Sequence, residues 1–255
     1  MKKLLATLTP AESKRLIARG VLATDIVQNA LKNGYVCITM GTTSGYIVEE
    51  LLGEYDKTRH IAGIVVPKGL AITDGTKRFT DAIFNKGEYM ENTKVIDILD
   101  RLGPNDVIIK GANGLDEDYV PIVLLAHETA GAVGVFLGAV SARNIKLIVP
   151  VGLEKSIPVS YSEFCGQFGK GEWDYAIGTP VGVIALHEGM AFTEIEALEI
   201  LFNVQAIPIS AGGVNGAEGS ITLFIEGGDE ETARAYEFLV DLKGEEPFPT
   251  VDHVK

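Results

Sequence analysis

Short, apolar runs of β-type residues recur along this chain between helical patterns, and that alternation limits its folds more than any other feature. Tyr35 to Met40, Ile61 to Pro67, Asp106 to Lys110 and Ile145 to Val151 are such runs, with Val120 to Ala126 a weaker one. Helical patterns over Val95 to Leu102 and Thr129 to Arg143 precede two of them. Strands alternating with helices predict an α/β fold on a doubly wound, mostly parallel sheet. The length of 255 residues allows one large α/β unit or a major domain with a minor one.

Helix ends are marked by chemistry. In Thr9-Pro10-Ala11-Glu12, Thr9 caps, Pro10 suits the first helical position and Glu12 sits at capping-box distance. That helix is expected to stop near Gly20. A second is expected from Thr24 or Asp25 to Asn33-Gly34, with Ile26, Val27, Ala30 and Leu31 on one face. A third follows the Gly41–Gly45 loop, turns Ile47, Val48, Leu51 and Leu52 inward and closes at Gly53. Pro67 to Glu91, rich in glycine and polar residues, reads as an irregular insert.

The last third has its own order: strand Val181 to His187, helix Thr193 to Phe202, strand Val204 to Ser210, strand Ser220 to Glu226, and a helix capped by Asp229. This β-α-β-β-α order is most of a ferredoxin-like α+β unit. The expected division is therefore a Rossmann-like ligand-binding domain over 1–170 and a ferredoxin-like domain with an acidic tail over 171–255.

Composition narrows the function classes. Apolar residues at 46% and charged ones at 22% exclude wholesale disorder. The 22 basic and 35 acidic residues leave a net charge of −13, which disfavours a long nucleic acid draped over the surface. The charge is uneven: bases dominate the first twenty residues, and acids the segment 226–255. Cys37 and Cys165 lie far apart and outside any CxxC pair, so neither a disulfide framework nor a zinc site is indicated. Cys37, in an apolar strand, is expected to be buried and inert. The apolar run in MKKLLATL is too short for a secretory leader. Val120 to Val140 carries His127 and Glu128 at its centre, against a membrane span. A cytoplasmic protein that contacts neither membrane nor nucleic acid is expected.

The sharpest chemical signal is the strand–loop–helix at Gly41, Thr42, Thr43, Ser44 and Gly45. Free N–H groups and a positive dipole at a helix start suit an anion, and the hydroxyls add donors. The plainer reading is a turn capped by Ser44 or Thr43. The loop is neither a Walker A nor a GxGxxG motif, so nucleotides are not indicated. Lys110 and Lys155 each end an apolar strand, where an ammonium meets a ligand anion or snorkels to solvent. Glu128, just before an apolar helix, is a candidate base if partly desolvated; otherwise it complements the helix dipole. The glycine-rich stretch with Gly212, Gly213, Asn215, Gly216 and Glu218 is either a lid or anion nest, or a wide bulged hairpin. Asp116-Glu117-Asp118 reads as a solvated turn. His60, His187 and His253 carry no recognisable motif, and no serine sits in a hydrolase elbow.

The N-terminal helix pair, the short strand and the Gly-Thr-rich loop resemble the superfamily of ribose-5-phosphate isomerase, glucosamine-6-phosphate deaminase and CoA-transferases. Asp106 to Asp116 is similar to that superfamily's strand and Gly-Ala-Asp-Glu type turn, and Ile145 to Lys155 to its strand and lysine turn. The resemblance covers residues 10–156. It implies that residues 41–45 hold a phosphate and that Lys110 or Lys155 stabilises an enediolate or phosphate charge. Asn113 stands where the superfamily has an acid. The superfamily's Lys-Gly-Gly-Gly loop and adjacent glutamate have no clean counterpart, His127 to Gly131 being the nearest.

Two functional expectations follow. The first is an enzyme acting on a phosphorylated or CoA-linked metabolite by isomerase-like proton transfer, with Glu128 as shuttle. The second is a non-catalytic metabolite-sensing or assembly protein with the same anion loop. A small anionic metabolite, no cofactor, no metal and a homo-oligomer are expected in either case.

Overall fold

Three of the apolar runs come together in the central sheet of the computed structural model, which describes residues 1–255. In chain order the strands are β1 (Lys2–Leu8), β2 (Tyr35–Ile38), β3 (Gly63–Val66), β4 (Gly69–Ile72), β5 (Ala82–Asn85), β6 (Glu88–Met90), β7 (Val107–Ile109), β8 (Gly114–Leu115), β9 (Pro121–Leu125), β10 (Lys146–Pro150), β11 (Gly182–Ala185), β12 (Met190–Phe192), β13 (Gln205–Ala211) and β14 (Ile221–Gly227). The helices are α1 (Pro10–Ala23), α2 (Asp25–Asn33), α3 (Thr42–Leu52), α4 (Val95–Ile98), α5 (Gly131–Arg143), α6 (Glu194–Phe202) and α7 (Asp229–Leu242).

The fold is mixed α/β around a six-stranded sheet of order β12-β10-β7-β2-β5-β6. β2, β7, β10 and β12 run parallel, and β5 and β6 add an antiparallel edge. Val36, Cys37, Ile38, Val107, Ile108 and Ile109 are all buried, as strands covered on both faces require. The expected irregular insert over Pro67 to Glu91 supplies that edge: Ile38 lies opposite Ala82, and Ile83 opposite Met90. Its glycine-rich turns had concealed the strands. Ile61 to Pro67 forms only a separate hairpin, β3 with β4.

The expected C-terminal unit is built differently. Val181 to His187 gives β11, which pairs with β9 in a sheet of order β11-β9-β8 and never joins β13 and β14. The strand that completes the β13–β14 sheet is β1, running antiparallel to β14 with Leu4 opposite Ile225 and Leu8 opposite Ile221. The lysines at the start of β1 resemble a leader's basic flank, but its inward residues join the core.

The chain crosses residue 170 repeatedly. β12 belongs to the central sheet, β1 to the C-terminal one, and a single cluster of 47 buried residues runs from Leu8 to Leu242. The charge asymmetry closes on itself as a result. Lys2 faces Asp229 at 3.9 Å, Arg15 binds Glu245 at 2.8 Å and Lys243 binds Glu12 at 2.6 Å.

Gly20 does not end α1; it lets α1 cross α6. A Cβ there would lie 2.6 Å from the Ala197 Cβ and 2.7 Å from its Cα. Thr9 and Glu12 form the expected capping box, as do Thr193 and Glu196 on α6. α7 is preceded by Gly228, so Asp229 lies in its first turn and complements the dipole there. No helix is long and apolar enough to cross a membrane; Val120 to Val140 divides between β9 and α5.

Candidate active site

The parallel strands all end at one edge of the central sheet. β2 continues through Thr39, whose N–H and hydroxyl both donate to the Ile109 carbonyl at 2.9 and 3.1 Å. After β2 the chain enters α3 and goes on to β5 on one side. After β7, the neighbour of β2, it proceeds through β8, β9 and α5 to β10 on the other side. Two adjacent parallel strands whose connections diverge leave a crevice at their carboxyl ends, the usual ligand position in open α/β sheets.

The Gly41–Gly45 loop forms one wall. Gly41 precedes α3, and no side chain caps the helix, so neither Thr43 nor Ser44 takes the expected capping role. The Gly45 N–H returns to the Gly41 carbonyl at 3.0 Å, and Gly41 is tied to the His60 carbonyl at 2.8 Å. The Ser44 hydroxyl is fully buried and has no partner. It lies 3.2 Å from where a Gly41 Cβ would be and 3.9 Å from where a Gly111 Cβ would be. Ser44 thus stands between the loop after β2 and the loop after β7.

The other wall carries the lysines. Lys110 Nζ donates to the Gly111 carbonyl at 2.8 Å, and Lys155 Nζ to the Ala112 carbonyl at 2.8 Å. The two ammonium groups therefore sit on consecutive carbonyls. Both side chains are half-buried and neither forms an ion pair. Burial, reinforced by Lys155, lowers Lys110 to about 8. Burial, reinforced by Lys14, lowers Lys155 to about 8. Snorkelling to open water, the alternative for these lysines, is not what they do.

Two buried carboxyl groups flank this pair, and neither stood out in the sequence. Asp81, directly before β5, accepts from the Val95 N–H at 3.0 Å; burial raises it above the usual carboxylate range, against the pull of Lys110. Glu194, the first residue of α6 after β12, accepts from the Leu153 N–H at 2.9 Å, and its Oε1 is buried without a partner. Burial raises Glu194 as well. His60 is also buried here: Nδ1 bonds the Tyr55 hydroxyl at 3.0 Å, and Nε2 has no partner. Burial lowers His60 to about 4, so it is neutral near pH 7. The available sequence signal was position alone, since Asp81 precedes an apolar run and Glu194 follows a cap.

Comparison with protein-family models, with curated proteins and with solved structures finds no match to this chain.

The remaining expected residues are placed elsewhere. Glu128 is exposed in the turn before α5, so the desolvation that would make it a base is absent. His127 beside it accepts from the Thr129 N–H at 3.2 Å, bracing the turn. Gly212, Gly213, Asn215, Gly216 and Glu218 form an exposed hairpin loop joining β13 to β14. Glu218 braces that loop by accepting from the Gly216 N–H at 2.9 Å. At its base a Gly219 Cβ would lie 3.1 Å from Pro10 and 3.2 Å from a Glu154 oxygen. Asp116 is buried rather than solvated, and accepts from the N–H groups of Asp118, Val120 and Tyr161. Cys37 is buried, and burial pushes its thiol far up; Cys165 is exposed.

Proposed function

We propose that the chain is an enzyme acting on a small phosphorylated or CoA-linked metabolite, most concretely by proton transfer of the sugar-phosphate isomerase kind. The observation that carries this reading is the pair of half-buried, unpaired lysines on consecutive carbonyls of the loop after β7, the loop that approaches the partnerless Ser44 hydroxyl at the start of α3. Burying two like charges without a counter-ion is costly, and an anion supplied by a ligand offsets that cost. The N–H groups of Thr42 and Thr43, the Ser44 hydroxyl and Lys155 take the anionic group. Lys110 stabilises charge developing on a carbonyl oxygen. Asp81, with its raised pKa and its place beside Lys110, moves the proton in the role first expected of Glu128. The diverging connections at β2 and β7 supply the part of the doubly wound arrangement that this reading uses.

The exposure of Glu128 favours a second reading, a metabolite sensor with the same anion site. Thermal-shift titration with inorganic phosphate, ribose 5-phosphate and glucosamine 6-phosphate, followed by analysis of the recovered sugar, separates the two. Stabilisation with isomerised sugar supports the enzyme, and stabilisation with unchanged sugar supports the sensor. No shift with any phosphate removes the anion site and both readings with it.

A further inference from the structure

The lysines have a chemical consequence beyond holding an anion. A lysine becomes a nucleophile when it is desolvated and placed beside a second cation, because both effects favour the neutral amine. Lys110 meets both conditions by position. Its Nζ has one protein hydrogen bond, to the Gly111 carbonyl, and Asp81 acts on it without forming an ion pair. The Lys155 ammonium occupies the next carbonyl. The groups acting on Lys110 from neighbouring elements are Lys155 after β10, Asp81 before β5 and His60 before β3. His60 is neutral near pH 7, leaving one cation and one carboxyl to set its state.

We propose that Lys110 forms a covalent imine with a small ketone or aldehyde whose anionic group lies against the start of α3, Ser44 and Lys155. The neutral Lys110 amine adds to the carbonyl carbon, forming a C–N bond as the carbonyl π pair moves to oxygen. A proton passes from nitrogen to that oxygen, giving a neutral carbinolamine. The Asp81 carboxyl protonates the hydroxyl, the C–O bond breaks, and water leaves as the protonated imine forms. The Asp81 carboxylate can then take a proton from the adjacent carbon. No oxidant, reductant or metal is required. The proposal rests on the reading above only for the seat of the anion.

The full-length protein incubated with dihydroxyacetone phosphate and sodium cyanoborohydride tests it, with the modified peptide mapped by mass spectrometry. The expected result is one reduced adduct, on the peptide containing Lys110, suppressed by excess inorganic phosphate and lost in Lys110→Met. In Lys155→Met less adduct forms, because the anion loses a partner, and the pH of half-maximal trapping rises by about one unit as the neighbouring charge disappears. No adduct at Lys110, or labelling spread evenly over exposed lysines such as Lys2 and Lys32, overturns the imine. If phosphate raises the melting temperature yet no adduct forms, the anion site stands and the imine falls. If unphosphorylated dihydroxyacetone labels Lys110 and phosphate neither protects nor stabilises, the imine stands and the anion site falls.

Discussion

Arg15 and Lys110 are both cations withdrawn from water, and the fold treats them in opposite ways. Arg15 on α1 is surrounded by acceptors. It reaches Glu50 at 2.8 Å, both oxygens of Glu245 at 2.8 and 3.1 Å, and Glu49, with its guanidinium 4.7 Å from the Tyr46 ring centre. Lys57 completes the cluster, 2.5 Å from Glu49 and 4.6 Å from the same ring. Lys110 has a carbonyl, another lysine and, without an ion pair, the buried Asp81. A charge matched within the chain serves assembly, since it joins α1, α3 and the segment after α7. A charge left unmatched raises the energy of the empty protein, and a ligand of opposite charge lowers it.

Breaking the matched region has the largest expected effect. Arg15→Met leaves three carboxylates without their shared cation and is expected to cost about 3 kcal/mol in urea unfolding. A cost under about 0.5 kcal/mol would place the network among ordinary surface pairs. The α1–α6 crossing in the same layer gives a second measure. Gly20→Ala pushes a methyl into Ala197 and is expected to cost about 2 kcal/mol. Adding Ala197→Gly restores most of the loss. If the second substitution restores nothing, the close approach is not what Gly20 serves.

Local chemistry made much of the assembled region legible from sequence. Thr9–Glu12 and Thr193–Glu196 declare their caps, and β2, β7 and β10 are too apolar to lie anywhere but inside. Pairings between distant segments were not legible. β1 reads only as a short basic and apolar start until β14 is beside it, and Gly20 reads as a helix stop until α6 crosses it. The site divides the same way. The Gly41–Gly45 loop and the strand-end lysines follow from local order. Asp81, Glu194 and His60 matter only because strands remote in sequence finish at one edge, a fact that residue spacing does not encode.

The unmatched region is expected to respond with the opposite sign. Lys110→Met removes a cation that burial penalises, so unfolding is expected to become harder by about 1 kcal/mol near pH 7, while phosphate, seated on the start of α3, Ser44 and Lys155, still stabilises the protein. Destabilisation comparable to that of Arg15→Met would make Lys110 a structural partner and end the contrast. The pH dependence sharpens it. Lys110 is lowered to about 8, so between that pH and the ordinary lysine value of about 10.4 the unfolded chain binds more protons than the folded one. Wild-type stability from this group therefore rises with pH across that window. The advantage of Lys110→Met is fully present below about pH 8 and shrinks toward pH 10.4. Taking the difference between the two proteins also cancels Cys37 and Tyr46, whose raised values act in the opposite direction at high pH.

The smallest effect is expected at Glu128, and it bears on where the chemistry sits. Its carboxylate is in water, one turn before α5 begins, and α5 takes no side-chain cap there. Glu128→Gln should therefore change unfolding free energy by less than about 0.5 kcal/mol. Phosphate stabilisation and turnover should stay at the wild-type level. Asp81→Asn, in contrast, is expected to lower any proton-transfer rate by about 10²-fold or more while phosphate still binds. The two carboxylates differ chiefly in desolvation, which makes the pair a direct test of whether burial decides function at this edge. A loss of phosphate binding in Glu128→Gln would place the ligand across the entrance to α5 and leave the lysine pair outside its reach.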